Sequence, residues 1–206
     1  MRGREEVFLP FPGSSGERNL VPMATEFRST WLSSSLESLR ERGRLDDYFV
    51  KLQPDMRSTI TSLMAGVWVP VSVAVAHYEA CDRLGMTHAE QLAIGREAST
   101  RAHATVLATA LRLTRQAGVT PCTVLAQLQR LWDRMFKGGG VCAWKLGPKE
   151  ARVEIVGCPL ARIAYFRVGF QGVLLGVGQM FCEKLYMQEI PALCSRTTLG
   201  YRGSWV

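Results

Sequence analysis

Histidine is the side chain whose charge changes nearest to neutral pH, and this chain has three: His77, His88 and His103. None of them has an obvious nucleophilic or acidic partner in the sequence. The few carboxylates mostly sit beside arginines, as in Asp82–Arg83 and Asp133–Arg134, which is typical of solvated charge or surface ion pairs. The patterns GxSxG, HExxH and the P-loop do not occur. We therefore expect no catalytic residue and predict that the protein is not an enzyme.

The cysteines are the other residues whose side chains could do chemistry, either as metal ligands or in disulfides. They form no CxxC pair, and no histidine lies near them at the spacing of a zinc finger. In a chain this apolar, such cysteines are more often reduced residues of the core. We therefore expect no metal site and no disulfide set among Cys81, Cys122, Cys142, Cys158, Cys182 and Cys194.

A mostly apolar stretch, RVGFQGVLLGVGQMF at 167–181, contains four glycines, although each glycine disfavours a helix by roughly 1 kcal/mol relative to alanine. Gly169, Gly172 and Gly176 fall on one helical stripe. Another backbone can approach closely where the Cβ atoms are missing. Two interpretations follow. The glycines let this helix pack tightly on a neighbour, or they leave a groove for a flat or long apolar ligand.

The composition bounds the class of protein. The chain has 206 residues, a net charge of +7 and 47% hydrophobic residues, so it can bury a sizeable core. A mildly cationic surface suits an acidic protein or anionic lipid, and no base-reading motif is found, so we expect no nucleic acid. Residues 1–22 are rich in Gly, Ser, Pro and Arg in their second half. We predict that 1–22 is disordered or an extension and that 23–206 is a single domain.

One segment has the length of a membrane span. Ser58 to Tyr78 contains no Asp, Glu, Lys or Arg. It also contains several Ser and Thr residues and has Pro70 in its middle. We therefore expect a connector followed by a buried helix that Pro70 opens at its first turn. No transmembrane segment is predicted, and we expect a cytoplasmic protein.

The hydrophobic period changes from helical to strand-like near residue 140. We expect a strand at 25–32, and then helices at 33–43, 45–52 and 70–84. A capping box, Thr87 to Glu90, opens a helix that could reach Gln116, and Thr120 caps a third helix. Two strands around GPKE, a helix at 159–182 and two further strands follow. The sequence predicts an α+β fold in which a small antiparallel sheet packs on helices.

Several short motifs resemble those of a known family. WVP at 68–70, GPKEAR at 147–152 and YRGSW at 201–205 are the most specific pieces. The chain resembles a family of paralogous proteins of similar length and unknown function that is expanded in myxobacteria. More distantly, helices followed by hairpin, helix and hairpin resemble the ligand-binding fold of vinyl-reductase-type sensor domains, TRAPP subunits and H-NOX haem domains. Because those proteins bind small molecules, acyl chains or haem, or form dimers, the resemblance implies a sensing or adaptor role.

The resemblance supplies no cofactor. H-NOX domains hold haem with a helical histidine and a Tyr-x-Ser-x-Arg clamp, and the nearest segment here, Tyr201-Arg202-Gly203-Ser204, does not fit that pattern. His77 and His103 are the candidate iron ligands, although a lone helical histidine is more often an ordinary core or polar residue. Vinyl-reductase-type domains often carry cysteines near the C-terminal sheet, so Cys182 and Cys194 are a second alternative, as a metal or thiol site. The cofactor stays unknown.

We expect a signalling module that binds a small apolar ligand, lipid-like or other, between the glycine-rich helix and the helix of 70–84. The aromatic residues of the glycine-rich segment motivate this expectation. The predicted ligand-binding residues are Trp68, His77, Phe166, Phe170 and Gly172.

The alternative function is a protein–protein adaptor, or a homodimeric scaffold, without a ligand. A basic helix face and the surplus of apolar residues motivate it. An ordinary solvated helix face is the competing interpretation of the same arginines. The predicted partner-binding residues are Arg112, Arg115, Arg130 and Arg134, with Lys137 on the same face.

Overall fold

The computed structural model describes residues 6–7, 21–103 and 121–206 of the chain. Within these residues the fold is α+β, with two small antiparallel sheets packed on helices, which confirms the predicted class. None of the helices in the described part is long and apolar enough to cross a membrane. Most of the predicted extension, 1–22, lies outside the described residues, but Glu6–Val7 within it forms the first strand, β1.

The first half of the chain is mainly helical. A three-stranded sheet joins its two ends, with the strand order β3-β2-β4. The elements are β2 (Glu26–Arg28), α1 (Ser29–Glu41), α2 (Leu45–Lys51), α3 (Pro54–Thr61), β3 (Trp68–Pro70), α4 (Val71–Asp82), α5 (His88–His103), α6 (Pro121–Leu125), α7 (Leu128–Met135) and β4 (Phe136–Lys137).

The second half is hairpin, helix and hairpin, as the sequence predicts. Its strands form a five-stranded sheet in the order β1-β5-β6-β8-β7. The elements are β5 (Gly140–Gly147), β6 (Glu150–Val156), a 3₁₀ turn (Pro159–Arg162), α8 (Ala164–Gly178), β7 (Leu185–Glu189), a second 3₁₀ turn (Pro191–Leu193) and β8 (Thr198–Trp205).

Several predicted boundaries are wrong. The segment expected to be a connector before Pro70 contains the end of α3 and the strand β3, and Pro70 ends that strand, directly before the first residue of α4. The strand expected at 25–32 ends at Arg28, and a helix begins at Ser29. Ser29 is buried, and its hydroxyl donates to the Met64 carbonyl (2.7 Å) and accepts from the Val67 amide (3.0 Å). A segment distant in sequence therefore fixes the start of α1. The helix expected at 159–182 is shorter, because a 3₁₀ turn precedes α8 and α8 ends at Gly178. A methyl group on Gly178 would overlap the Leu185 side chain.

The capping box is present where the sequence predicts it. The Thr87 amide donates to the Glu90 carboxylate (2.7 Å), and the Glu90 amide donates to the Thr87 hydroxyl (3.3 Å). These bonds satisfy backbone donors that the first turn of α5 leaves without partners. The described part of α5 ends at His103, so the predicted extension to Gln116 falls outside the described residues.

Helix α8 lies across one face of the five-stranded sheet. Alternate residues of the strands face it, and cross-strand neighbours such as Val153 and Tyr201 are buried there. The Tyr201 hydroxyl donates to the Arg167 carbonyl (2.9 Å), and the Gln171 amide donates to the Met187 carbonyl (2.7 Å). The sheet therefore fixes one side of α8, and its opposite side meets the helices of the first half.

Candidate functional site

A cavity of about 30 Å³, the central cavity, lies where helices α1, α4, α5 and α8 meet. Most of its wall is apolar, and the end of α7 closes one side with Met135. By the space that one buried water needs, it would hold about two or three water molecules. Five aromatic residues contribute to its wall: Trp31, Tyr78, Tyr165, Phe166 and Phe170.

Helices α5 and α8 pack against each other through glycine. A methyl group on Gly172 would overlap the Leu92 carbonyl oxygen, and one on Gly95 would overlap the Gly169 carbonyl oxygen. At Gly176 the added methyl would overlap the Ser99 side chain. These glycines let the two backbones approach closely. Gly169 differs, because it lines the cavity and an added methyl would meet no atom within 4 Å.

Behind one wall of the cavity lies a series of buried polar side chains that are joined by hydrogen bonds. Ser35 of α1 lines the cavity, and its hydroxyl is 3.0 Å from Nε2 of His77 on α4. Nδ1 of His77 is 2.9 Å from the hydroxyl of Tyr48 on α2. Burial lowers the pKa of His77 to about 3, so the imidazole is neutral near pH 7. The Cys81 thiol, one helical turn along α4, is 3.6 Å from the same Nε2 atom.

Tyr165 adds a second hydroxyl beside Ser35. Its oxygen is buried and forms no hydrogen bond of normal geometry within the described residues, although it lies near the Ser35 hydroxyl and the Cys81 thiol. Burial raises the pKa of Tyr165 well above its usual value, so the phenol keeps its proton. Asp82 positions this residue, because its carboxylate accepts the Tyr165 backbone amide (2.8 Å) at the start of α8.

An ion pair joins α1 to α5 at the edge of the cavity region. Both Arg42 terminal nitrogens donate to the Glu97 carboxylate, at 2.9 and 2.6 Å, and Ser38 donates to the same carboxylate (3.1 Å). The Arg42 guanidinium lowers the pKa of Glu97 through this hydrogen bond, so the pair is charged at neutral pH. The contact between α1 and α5 is therefore polar at its rim.

The predicted ligand-binding residues are only partly together. Phe166 and Phe170 line the cavity, whereas His77 lies behind Ser35 and is fully buried. Gly172 packs against the backbone of α5. Trp68 lies on β3, away from the cavity wall. Its ring is flanked by two cations, with the Arg28 guanidinium at 4.8 Å and the Lys137 ammonium at 4.9 Å from its centre.

The predicted partner-binding arginines are described in part. Arg130 and Arg134 are exposed on α7, and Lys137 is exposed on β4. Arg112 and Arg115 lie outside the described residues. Partner binding by this face stays a prediction.

Sequence reasoning missed Ser35. It counted Tyr165 among the aromatic residues of the glycine-rich segment but did not predict it as a ligand-binding residue. A usable signal was present in SSSLES on α1, since Ser34, Ser35 and Ser38 are buried and repeat at helical spacing. Serine at such positions indicates close helix contact or buried hydrogen bonds, and both occur here. Nothing local marks the role of the Tyr165 hydroxyl, because its neighbours Ser35 and Cys81 are distant in sequence.

A second cavity of about 40 Å³ lies between α6, the C-terminal half of α8 and the five-stranded sheet. Val124, Leu174 and Trp205 are among its almost entirely apolar lining. Its wall includes Pro121, which directly follows residues 104–120, so the described residues do not define its full boundary. The central cavity is the better candidate because polar groups converge on it.

No protein-family model and no curated protein matches this chain. Solved structures do match. One is an oxygen complex of an oxygen-binding H-NOX domain related to soluble guanylate cyclases, with a TM-score of 0.58 and 12% identity over 86% of this chain and 94% of that one. An H-NOX structure concerned with haem distortion has a TM-score of 0.60, 12% identity and coverage of 86% and 94%. A mutant structure of the T. tengcongensis H-NOX gives 0.59, 11%, 86% and 97%.

The chain has an H-NOX-like fold. This confirms the H-NOX part of the distant resemblance seen in the sequence. The likeness to vinyl-reductase-type domains, to TRAPP subunits and to a myxobacterial family stays a prediction. The fold alone does not identify a ligand, because these sequence identities are too low for the ligand of a matched structure to be assigned to this chain.

The described residues do not fit a haem. Pockets for ligands of drug or cofactor size are typically about 300–1,000 Å³, and this cavity is about 30 Å³. Both ring nitrogens of His77 already face hydrogen-bonding partners, and His88 is exposed at the start of α5. The side chain of His103 lies outside the described part. The direct glycine contacts between α5 and α8 leave no room for a flat macrocycle between these two helices.

Proposed function

We propose that this protein is a non-enzymatic signalling module that binds a small apolar ligand in its central cavity and does not use haem. The observation that carries the proposal is the cavity itself, which lies at the junction of four helices and has five aromatic residues in its wall. The H-NOX-like fold supports it, because its solved neighbours include a domain that binds oxygen.

The size of the cavity limits the ligand. Space for about two or three water molecules suits a molecule of few heavy atoms in this conformation. A longer chain would require α5 to move away from α8, against the close contacts at Gly95 and Gly172. We therefore propose a compact ligand rather than a lipid.

The position of the cavity suits a signalling role. The wall is built from α1, α4, α5 and α8, so a ligand contacts four elements at once. Interiors are close-packed, and a ligand that fills a void favours the arrangement of helices that encloses it. The rim pair Arg42–Glu97, which joins α1 to α5, is a partly exposed contact that such a change would alter.

Xenon is a suitable probe because dry apolar cavities bind it. NMR spectra of the full-length protein should show xenon-dependent shifts of the Phe166, Phe170 and Trp31 ring signals. Gly169→Ala is the matched variant, since its methyl enters the open space beside the cavity. It should weaken these shifts while the fold is kept. Shifts that avoid these three residues, or the absence of any shift, would contradict the proposal.

Haem independence has its own test. The protein is produced with a haem precursor in the medium and measured by native and denaturing mass spectrometry side by side. The expected native mass carries no haem, and the fold is the same with and without the precursor. A stoichiometric haem adduct that disappears on denaturation would overturn this part of the proposal.

A further inference from the structure

We propose that the ligand of the central cavity carries a hydrogen-bond acceptor, because the polar side chains at its wall leave one donor without a partner. This inference rests on the proposed function, since it names the ligand class for the same cavity. It follows from counting protons along the chain Tyr48–His77–Ser35–Tyr165.

Tyr48 determines which atoms donate and which accept along this series of hydrogen bonds. Its side chain is fully buried, and the only acceptor near its hydroxyl within the described residues is Nδ1 of His77, at 2.9 Å. A buried hydroxyl proton without an acceptor is costly, so Tyr48 donates to Nδ1. That nitrogen then carries no proton, because a single ring nitrogen cannot both accept and donate.

The protonation of His77 then determines the direction of its hydrogen bond with Ser35. The buried imidazole is neutral and holds one proton, which must lie on Nε2 once Nδ1 is an acceptor. Nε2 therefore donates to the Ser35 oxygen at 3.0 Å. The proton of the Ser35 hydroxyl remains to be placed, and no backbone carbonyl within the described residues accepts it.

The two hydroxyls at the cavity wall supply two protons. Ser35 and Tyr165 lie close together, so one can donate to the oxygen of the other, and the second proton is left over. The Cys81 thiol neighbours both hydroxyls, but sulfur is a weak acceptor. Both residues contribute to the wall of the cavity, so the spare donor lies beside it. A small rotation of either hydroxyl aims that donor at a ligand atom.

A matching ligand is small, largely apolar and aprotic, with one carbonyl, ether or nitrile atom. Such a molecule buries its hydrocarbon part against the aromatic rings and accepts the spare proton. A pure hydrocarbon fills the same space but leaves the donor without a partner. Water competes for the same proton, so preference is measured in aqueous solution between molecules of equal shape.

Dimethyl ether and propane form the probe pair, because they have the same shape and three heavy atoms each. NMR titrations of the full-length protein give the affinity of each probe for wild type, Tyr165→Phe and Ser35→Ala/Tyr165→Phe. Tyr165→Phe keeps the Ser35 proton as a spare donor, so ether binding should persist. The double variant has neither hydroxyl. It also frees the Nε2–H of His77, but His77 lies behind Ser35 and does not line the cavity, so ether should still bind about threefold to tenfold more weakly than to wild type. Propane should change by less than about twofold, since it forms no hydrogen bond.

The outcomes separate this inference from the proposed function. If neither probe nor xenon binds wild type, the cavity is not a ligand site and both claims fail. If propane binds and the double variant leaves the ether affinity unchanged, the site stands and the acceptor class is overturned. A measurement on wild type alone gives a check that needs no variant: the ¹⁵N shifts of His77 should report the Nε2–H tautomer. The Nδ1–H tautomer would contradict the proton count.

Discussion

Helices α5 and α8 meet in two places that use glycine in opposite ways. At Gly95 and Gly172 the two backbones touch, and a single methyl group would overlap a carbonyl oxygen. One turn away, Gly169 borders the cavity, and a methyl group there meets open space. The two places share one residue, because the atom that Gly95 packs against is the Gly169 carbonyl oxygen. The backbone of Gly169 therefore belongs to the close contact, and only the side on which a side chain would lie faces open space.

This difference shows that a glycine stripe has no single meaning. The sequence alone leaves tight packing and a ligand groove as alternatives for the whole stripe. The structure divides them along the helix, with close packing at Gly172 and Gly176 and free space where a side chain of residue 169 would lie. The close contact sets the helix separation that keeps the cavity small.

The largest expected effect is at the close contact. Gly172→Ala should lower the free energy of unfolding by about 3 kcal/mol, because its methyl overlaps a backbone carbonyl that cannot rotate away. Urea denaturation followed by circular dichroism measures the change. A loss below about 1 kcal/mol would mean that the helices can separate easily, and the contrast between the two places would disappear.

The buried imidazole behind the cavity makes stability depend on pH. The pKa of His77 is about 3 in the folded protein and near 6.5 when unfolded, so the unfolded state binds the extra proton between these values. Stability should therefore be retained above about pH 6.5 and fall on acidification, by up to about 1.4 kcal/mol per pH unit.

His77→Gln is the control for this dependence, since glutamine does not titrate. The difference between the two proteins isolates His77 from carboxylates such as Glu97, whose pKa is lowered by Arg42 and which also loses stabilisation in acid. Equal slopes for wild type and His77→Gln between pH 4 and 7 would show that the cluster does not exclude water.

A smaller effect is expected from the far end of the polar chain. Tyr48→Phe removes the donor to His77 Nδ1 and should reduce stability by about 1–2 kcal/mol, because a buried ring nitrogen loses its partner. Tyr186→Phe is a matched change on an exposed tyrosine and should stay within about 0.5 kcal/mol. Similar values for both variants in thermal unfolding would argue against a structured network behind the cavity.

The smallest effect has the opposite sign. Gly169→Ala should raise the free energy of unfolding by up to about 1 kcal/mol, because alanine favours the helix and its methyl meets no atom. The same urea experiment compares it with Gly172→Ala on the same helix. A destabilisation at Gly169 would show that the space beside it is already filled.

The order of elements in the second half could be predicted from sequence because strand and helix periods differ. The turn residues GPKE and the alternating residues around them predict the hairpin of β5 and β6, and the helical spacing of apolar residues predicts α8. The start of α1 could not be predicted, because Ser29 is held by the loop at Met64 and Val67 rather than by its neighbours. Local propensity says nothing about such contacts.

The site was accessible to sequence reasoning only in part. Phe166 and Phe170 were found because aromatic residues at helical spacing mark a buried face, and they do line the cavity. Ser35 and His77 are 42 residues apart, so their hydrogen bond exists only once α1 packs beside α4. The formation of the cavity depends equally on such packing, which one sequence does not reveal.

The most direct test of the central claim is a crystal structure of the full-length protein under xenon pressure. The account predicts a xenon atom in the central cavity, in contact with Phe166, Phe170 and Gly169. Xenon confined to the second cavity, beside Val124 and Trp205, or no ordered xenon at all, would contradict the assignment of the central cavity as the ligand site.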